Sequence, residues 1–174
     1  MIDQLPIQVL ISRPSAPSQL DFAGDAKSQL VASTALEPEA TLHGLLLHGL
    51  WELELESAWC RLRETYPDAT AGNPRVKYRQ GMEPWLSFLV SIPEPRVSLV
   101  TEDVLSRRGR VIATRPASHA VRVEFEVPAG EHWGYSTVLR TLTGARGQVE
   151  AVQFAGYRPW PGRDGGEESP TIAD

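Results

Sequence analysis

In Ala120-Val121-Arg122-Val123-Glu124-Phe125-Glu126-Val127, apolar and polar side chains alternate without a break from Val121 onward. A period of two is the strand period. Val121, Val123, Phe125 and Val127 therefore predict one buried face, and Arg122, Glu124 and Glu126 one wet face. Upstream, residues 85–92 read as a strand with a mostly apolar centre, and Pro93-Glu94-Pro95 opens a helix whose first turn suits Pro and Glu. Val97, Val100, Val104 and Leu105 form its apolar stripe, and Ser106-Arg107-Arg108-Gly109 ends it. Residues 110–114 are a second strand. Downstream, 133–142 read as a helix carrying Tyr135, Val138, Leu139 and Leu142, 144–147 as a turn, and 148–157 as a last strand. The order is β-α-β-β-α-β, a split βαβ unit with two helices on one face of a four-stranded antiparallel sheet.

The first half repeats the rhythm more weakly. Residues 6–12 are apolar and β-branched, as a strand is, and a short helix is expected at 18–26. Residues 29–35 and 41–48 read as a hairpin turning at Glu37-Pro38-Glu39. The clearest helix is 52–66, where Leu55, Trp59, Leu62 and Tyr66 recur at three- and four-residue spacing. Glu52, Glu54 and Glu56 crowd its start and Arg61 and Arg63 lie nearer its end, which complements the helix dipole. A strand at 75–79 and a junction at 80–84 follow. The expected fold class is α+β: two tandem ferredoxin-like (βαββαβ) sandwiches, residues 1–81 and 82–163, then a disordered tail at 164–174.

The 174 residues are 41% hydrophobic and 22% charged, a composition that folds. The net charge of −5 excludes a globally basic nucleic-acid binder. Charge is nevertheless segregated. Residues 1–84 hold 7 basic and 11 acidic side chains, whereas 106–163 hold 9 arginines and 4 acidic side chains. An anionic partner should meet the second half. Cys60 is the single cysteine, which leaves no internal disulfide and no Cys-rich zinc site. No run of 18 apolar residues and no signal peptide is apparent, so a cytoplasmic protein without membrane contact is expected. Met1 and the acidic tail lead us to expect a naturally short chain.

Three stretches resemble the C-terminal part of bacterial elongation factor G. Ser106-Arg107-Arg108-Gly109-Arg110 resembles the family's SRRG turn, Val127-Pro128 its VP pair, and the run from Gly134 to Gly147 its FGYSTDLRSLTQGRG helix and turn. Phe154 and Tyr157-Arg158-Pro159 resemble its closing strand. Residues 49–79 look like the family's third domain: Gly49-Leu50-Trp51-Glu52-Leu53-Glu54-Leu55-Glu56 stands where the family has GMGELHLE, and Asn73-Pro74-Arg75-Val76-Lys77-Tyr78-Arg79 where it has KPQVAYRE. Residues 6–48 align loosely. The resemblance implies domains three and five fused without the fourth, and no G-x-x-x-x-G-K-[ST] phosphate loop occurs. No GTPase activity, nucleotide or other cofactor is expected. Trp51 and Val138 depart from the family's Gly and Asp. An indole at position 51 sits in a turn that in the family approaches ribosomal parts, which puts that contact in question.

The resemblance implies a surface of Arg107, Arg108, Arg110, Arg140 and Arg146 facing large-subunit ribosomal RNA. Arginine forks suit phosphates, and a solvated rim of stems over aromatic rings is the plain alternative. Gly109, Gly134, Gly144 and Gly147 are either conformational or an anion cradle of backbone N–H groups. Glu131, His132 and Tyr135 are the weak candidates for acid–base chemistry, against a polar cap on a core helix. Glu52 and Glu56, one turn apart, could pair for the same purpose. His43 and His48 have poor metal spacing, and no metal site is expected. Two functions stay open. One is a non-GTPase binding module contacting ribosomal RNA or protein, in translation or antibiotic protection, with salt-sensitive binding lost on replacing Arg107 and Arg108. The other is a repurposed fragment acting as a subunit of a heteromeric enzyme in small-molecule (secondary metabolite) biosynthesis.

Overall fold

A computed structural model describes residues 2–160, so the tail expected at 164–174 lies outside the described residues. The chain divides into two compact units between Tyr78 and Arg79.

In the first unit, β1 (Ile7–Ser12) turns Ile7, Val9 and Ile11 into the core and Gln8, Leu10 and Ser12 to the opposite face. Ser18 caps α1 (Gln19–Ser28) by accepting the Asp21 N–H at 3.2 Å, and Phe22, Ala23 and Ala26 face inward. A hairpin of β2 (Leu36–Thr41) and β3 (Gly44–Gly49) follows, then α2 (Glu52–Thr65), which buries Leu55, Ala58 and Leu62. The fourth strand is broken into β4 (Thr70–Ala71) and β5 (Arg75–Val76), both paired antiparallel with β1. The order across the sheet is β2-β3-β1-β4, with β5 also on β1.

Two expectations are corrected here. Glu37-Pro38-Glu39 lies inside β2, and the hairpin turns at Leu42-His43. Proline is tolerated because β2 is an edge strand and its unpaired side has no need of an N–H. Turn chemistry sits instead at Thr41, whose Oγ1 accepts the His43 N–H and donates to the Gly44 carbonyl. Gly44 takes φ +132°, and a Cβ there would collide with the Ile11 carbonyl oxygen. Of the strand expected at 75–79, only Arg75 and Val76 form β5; the Lys77 N–H still donates to the Pro6 carbonyl at 2.8 Å, and Arg79 makes an isolated bridge with Met82.

The second unit runs β6 (Met82–Ile92), α3 (Val97–Ser106, preceded by one 3-10 turn), β7 (Arg110–Pro116), β8 (Val121–Pro128), α4 (Tyr135–Thr143) and β9 (Gln148–Pro159). Its order, β7-β8-β6-β9, repeats that of the first unit. Both are ferredoxin-like α+β sandwiches. The alternation along β8 holds: Val121, Val123, Phe125 and Val127 are all buried. Phe88 and Phe125 stack at 5.4 Å, and Tyr135 packs on both rings at 5.7 and 5.4 Å. α4 starts at Tyr135 rather than at 133, because Gly134 takes φ +77° and interrupts the helix.

Candidate anion-binding surface

The turn after α3 explains why two arginines and a glycine end this helix. Arg108 N–H donates to the Leu105 carbonyl at 3.1 Å and Gly109 N–H to the Val104 carbonyl at 2.9 Å, the Schellman pattern of a helix end. The position between cap and Gly109 must be left-handed, and Arg108 occupies it at φ +58°, where glycine is usual. Gly109 has no room for a side chain, since a Cβ would lie 2.6 Å from Val127 Cγ1 and 2.7 Å from the Val104 oxygen.

The side chains of this turn point at internal partners. Arg107 donates through Nε to Asp103 at 2.8 Å and through Nη1 to the Glu131 carbonyl at 2.6 Å, with its guanidinium 5.4 Å from the centre of the Tyr135 ring. Arg108 forks onto both oxygens of Glu83 at 2.9 Å and reaches Glu131 at 3.2 Å. Glu83 is only 2% exposed, and its hydrogen bond holds the Arg108 guanidinium even more firmly protonated than usual. Arg110 meets Glu126 at 2.8 Å, and Arg158 meets the same oxygen at 2.5 Å while lying 4.4 Å over Trp85. Burial pushes the Glu126 carboxyl up, but hydrogen bonds from Arg158 and Arg110 and their charges bring it below its ordinary value.

Arg140 and Arg146 differ. Both are exposed, and neither has an ion pair among the described residues. They flank the end of α4, where Gly144 and Ala145 take φ +62° in succession. The N–H groups there are consumed internally: Ala145 donates to the Arg140 carbonyl at 2.6 Å and Gly147 to Thr143 Oγ1 at 2.8 Å. The glycines thus shape the turn and form no cradle. Of five arginines read as one surface, three are held by carboxylates and two are open to an external anion.

Glu131, His132 and Tyr135 do not converge on an accessible site. Glu131 is exposed and bound to Arg108; His132 and Tyr135 are fully buried. His132 Nδ1–H donates to the Ala129 carbonyl at 2.5 Å, and burial raises the Tyr135 hydroxyl well above its ordinary value. Glu52 is buried and Glu56 exposed, so that pair presents no joint site either. No group of three His, Cys, Asp or Glu side chains fit to hold a metal occurs among the described residues. His43 is exposed in its turn, while His48 is buried against Glu39 at 2.9 Å. Cys60 is exposed on α2. Trp51 is 6% exposed and turned inward, so it presents no indole to a partner. The sequence reading missed the counterions Asp103, Glu83 and Glu126, and took Glu131 for an acid–base candidate instead of a partner of Arg108. Glu83 carried a signal, as a lone carboxylate at the head of an apolar strand.

Residues 80–165 match the family described as Elongation factor G C-terminus. The second unit belongs to the elongation factor G C-terminal family. Elongation factor G 2 of Vibrio parahaemolyticus is 30% identical over 147 residues, covering 80% of this chain and 19% of that protein. That alignment is long enough to reach into the first unit. Elongation factor G 2 of Streptomyces coelicolor is 41% identical over 80 residues, 46% of this chain and 12% of that protein. A crystal structure from Thermus thermophilus, titled ttk003000868, superposes with a TM-score of 0.63 at 18% identity, covering 90% of this chain and 41% of that one; it supports the fold. The chain spans 12–19% of the length of the curated relatives named here. It carries a translation-factor-related module, and no helix among the described residues is long and apolar enough to cross a membrane.

Proposed function

We propose that this chain is a non-GTPase, elongation-factor-G-like binding module that contacts the ribosome through ribosomal RNA, with the end of α4 as the contact. Family membership of the second unit supports the ribosomal partner. The observation that carries the contact is the pair Arg140 and Arg146, exposed and without carboxylate partners among the described residues, in a domain whose other candidate arginines are neutralised. Phosphate oxygens are the matching acceptors. The first unit, in this reading, is third-domain-like.

Cosedimentation with 70S ribosomes tests this. The full chain should pellet with ribosomes at low salt, and Arg140→Glu with Arg146→Glu should abolish pelleting while leaving the far-ultraviolet circular dichroism unchanged. Retained pelleting of that double variant would reject the contact. Arg107 and Arg108 no longer serve as the diagnostic pair, because replacing them disturbs the fold first.

A further inference from the structure

The face of the first sheet turned away from α1 and α2 holds a cleft of about 640 Å³, within the range of small-molecule sites. Strand register builds it. Leu10 pairs with Leu46 and Gln8 with Arg75, so these four side chains emerge on one face. The break between β4 and β5 supplies a wall at Gly72 and Asn73, pinned where the Gly72 N–H donates to the Leu10 carbonyl at 2.8 Å. His43 closes the far side from the hairpin turn.

The lining has a sign. No carboxylate contributes to it, although residues 1–84 hold 11 acidic side chains. Arg75 and His43 are exposed, and neither side chain has a hydrogen-bond or ion-pair partner among the described residues. Glu39, on the same face, is held by His48 at 2.9 Å. The floor is apolar: Leu10 is 38% exposed and Leu46 is half-buried. A rim of one guanidinium and one imidazole over an aliphatic floor matches a molecule with an anionic head and a short apolar body. A nucleic-acid strand fits less well, because no phenyl, phenol or indole ring lines the cleft to stack a base.

We propose that this cleft binds a small amphipathic organic anion, its carboxylate or phosphate head on Arg75 and His43 and its apolar body across Leu10 and Leu46. The reading is independent of the ribosomal contact, which lies in the other unit.

Amide chemical-shift titration of the full chain with 3-phenylpropionate and with phenyl phosphate tests it, and the two probes distinguish the head groups. Neutral 3-phenylpropanol is the control. Saturable shifts are expected in residues 8–12, 43–46 and 70–75, weakened about tenfold by Arg75→Ala and partly restored by Arg75→Lys. Leu10→Ser should weaken both anions, and His43→Gln should act in the same direction as Arg75→Ala. The proposal is overturned if neither anion saturates by about 10 mM, if the alcohol binds as well as the anions, or if Arg75→Ala changes nothing.

Discussion

Arg108 shows how one side chain can justify a backbone cost. Holding a non-glycine residue left-handed costs roughly 1–2 kcal/mol. The guanidinium compensates a carboxylate, Glu83, that is almost wholly withdrawn from water. Removing one partner of a buried pair typically costs about 3–5 kcal/mol. Arg108→Gly relieves the strain but strands Glu83, so urea melts should show a net loss of about 1–4 kcal/mol, toward the lower end because the Arg108 side chain is itself 37% exposed. The double variant Arg108→Gly with Glu83→Gln should recover most of it; a double variant as unstable as the single one would refute the account. Glu126 gives a pH counterpart. Its carboxyl lies below the ordinary value in the folded state, so the stability it contributes is complete above its unfolded pKa and is lost as pH falls through the folded one. Glu126→Gln should therefore lower stability at neutral pH, by about 1 kcal/mol or less given the exposure of Arg110, and flatten the acid limb of the stability curve. The measurement is a thermal midpoint series from neutral pH down through the carboxylate range.

At the scale of single elements, glycines separate what the sequence disclosed from what it hid. Gly24 sits exposed inside α1, at an ordinary helical φ, and a Cβ added there would meet nothing within 4 Å. Gly24→Ala should stabilise by about 0.5–1 kcal/mol through helix propensity. Gly134, just ahead of α4, is equally open but left-handed at φ +77°, so Gly134→Ala should destabilise by about 1 kcal/mol. Opposite shifts in denaturation midpoint are expected, and equal shifts would contradict the backbone argument. The alternation in β8 and the three- and four-residue spacing in α2 were legible because a buried face imposes its period on the chain. The β2–β3 turn was not, because Pro38 was read as a turn former when its edge position makes it harmless. The arginine surface was half legible: the sequence shows where cations cluster and places Asp103 one helical turn before Arg107, while Glu83 and Glu126 come beside Arg108 and Arg110 only once β6, β8 and α3 are packed.

At the scale of the whole molecule, the number of open cations within the proposed contact decides how its association with RNA should respond to salt. Five free arginines would give a steep dependence, since each neutralised phosphate contributes about −0.7 to −0.9 to the slope of log affinity against log salt. Three of the five are already matched by Asp103, Glu83 and Glu126. Arg140 and Arg146 alone predict a slope of about −1.4 to −1.8, or roughly a tenfold loss between 50 and 200 mM salt. The second unit has its own apolar core of Phe88, Val104, Phe125, Tyr135 and Leu139, so a fragment covering 79–164 should unfold cooperatively and carry that slope unchanged. Ribosome cosedimentation of fragment and full chain across this salt range distinguishes the cases. A slope near −4 would mean that the ion pairs open on binding, and a fragment that folds without binding would move the contact to the first unit.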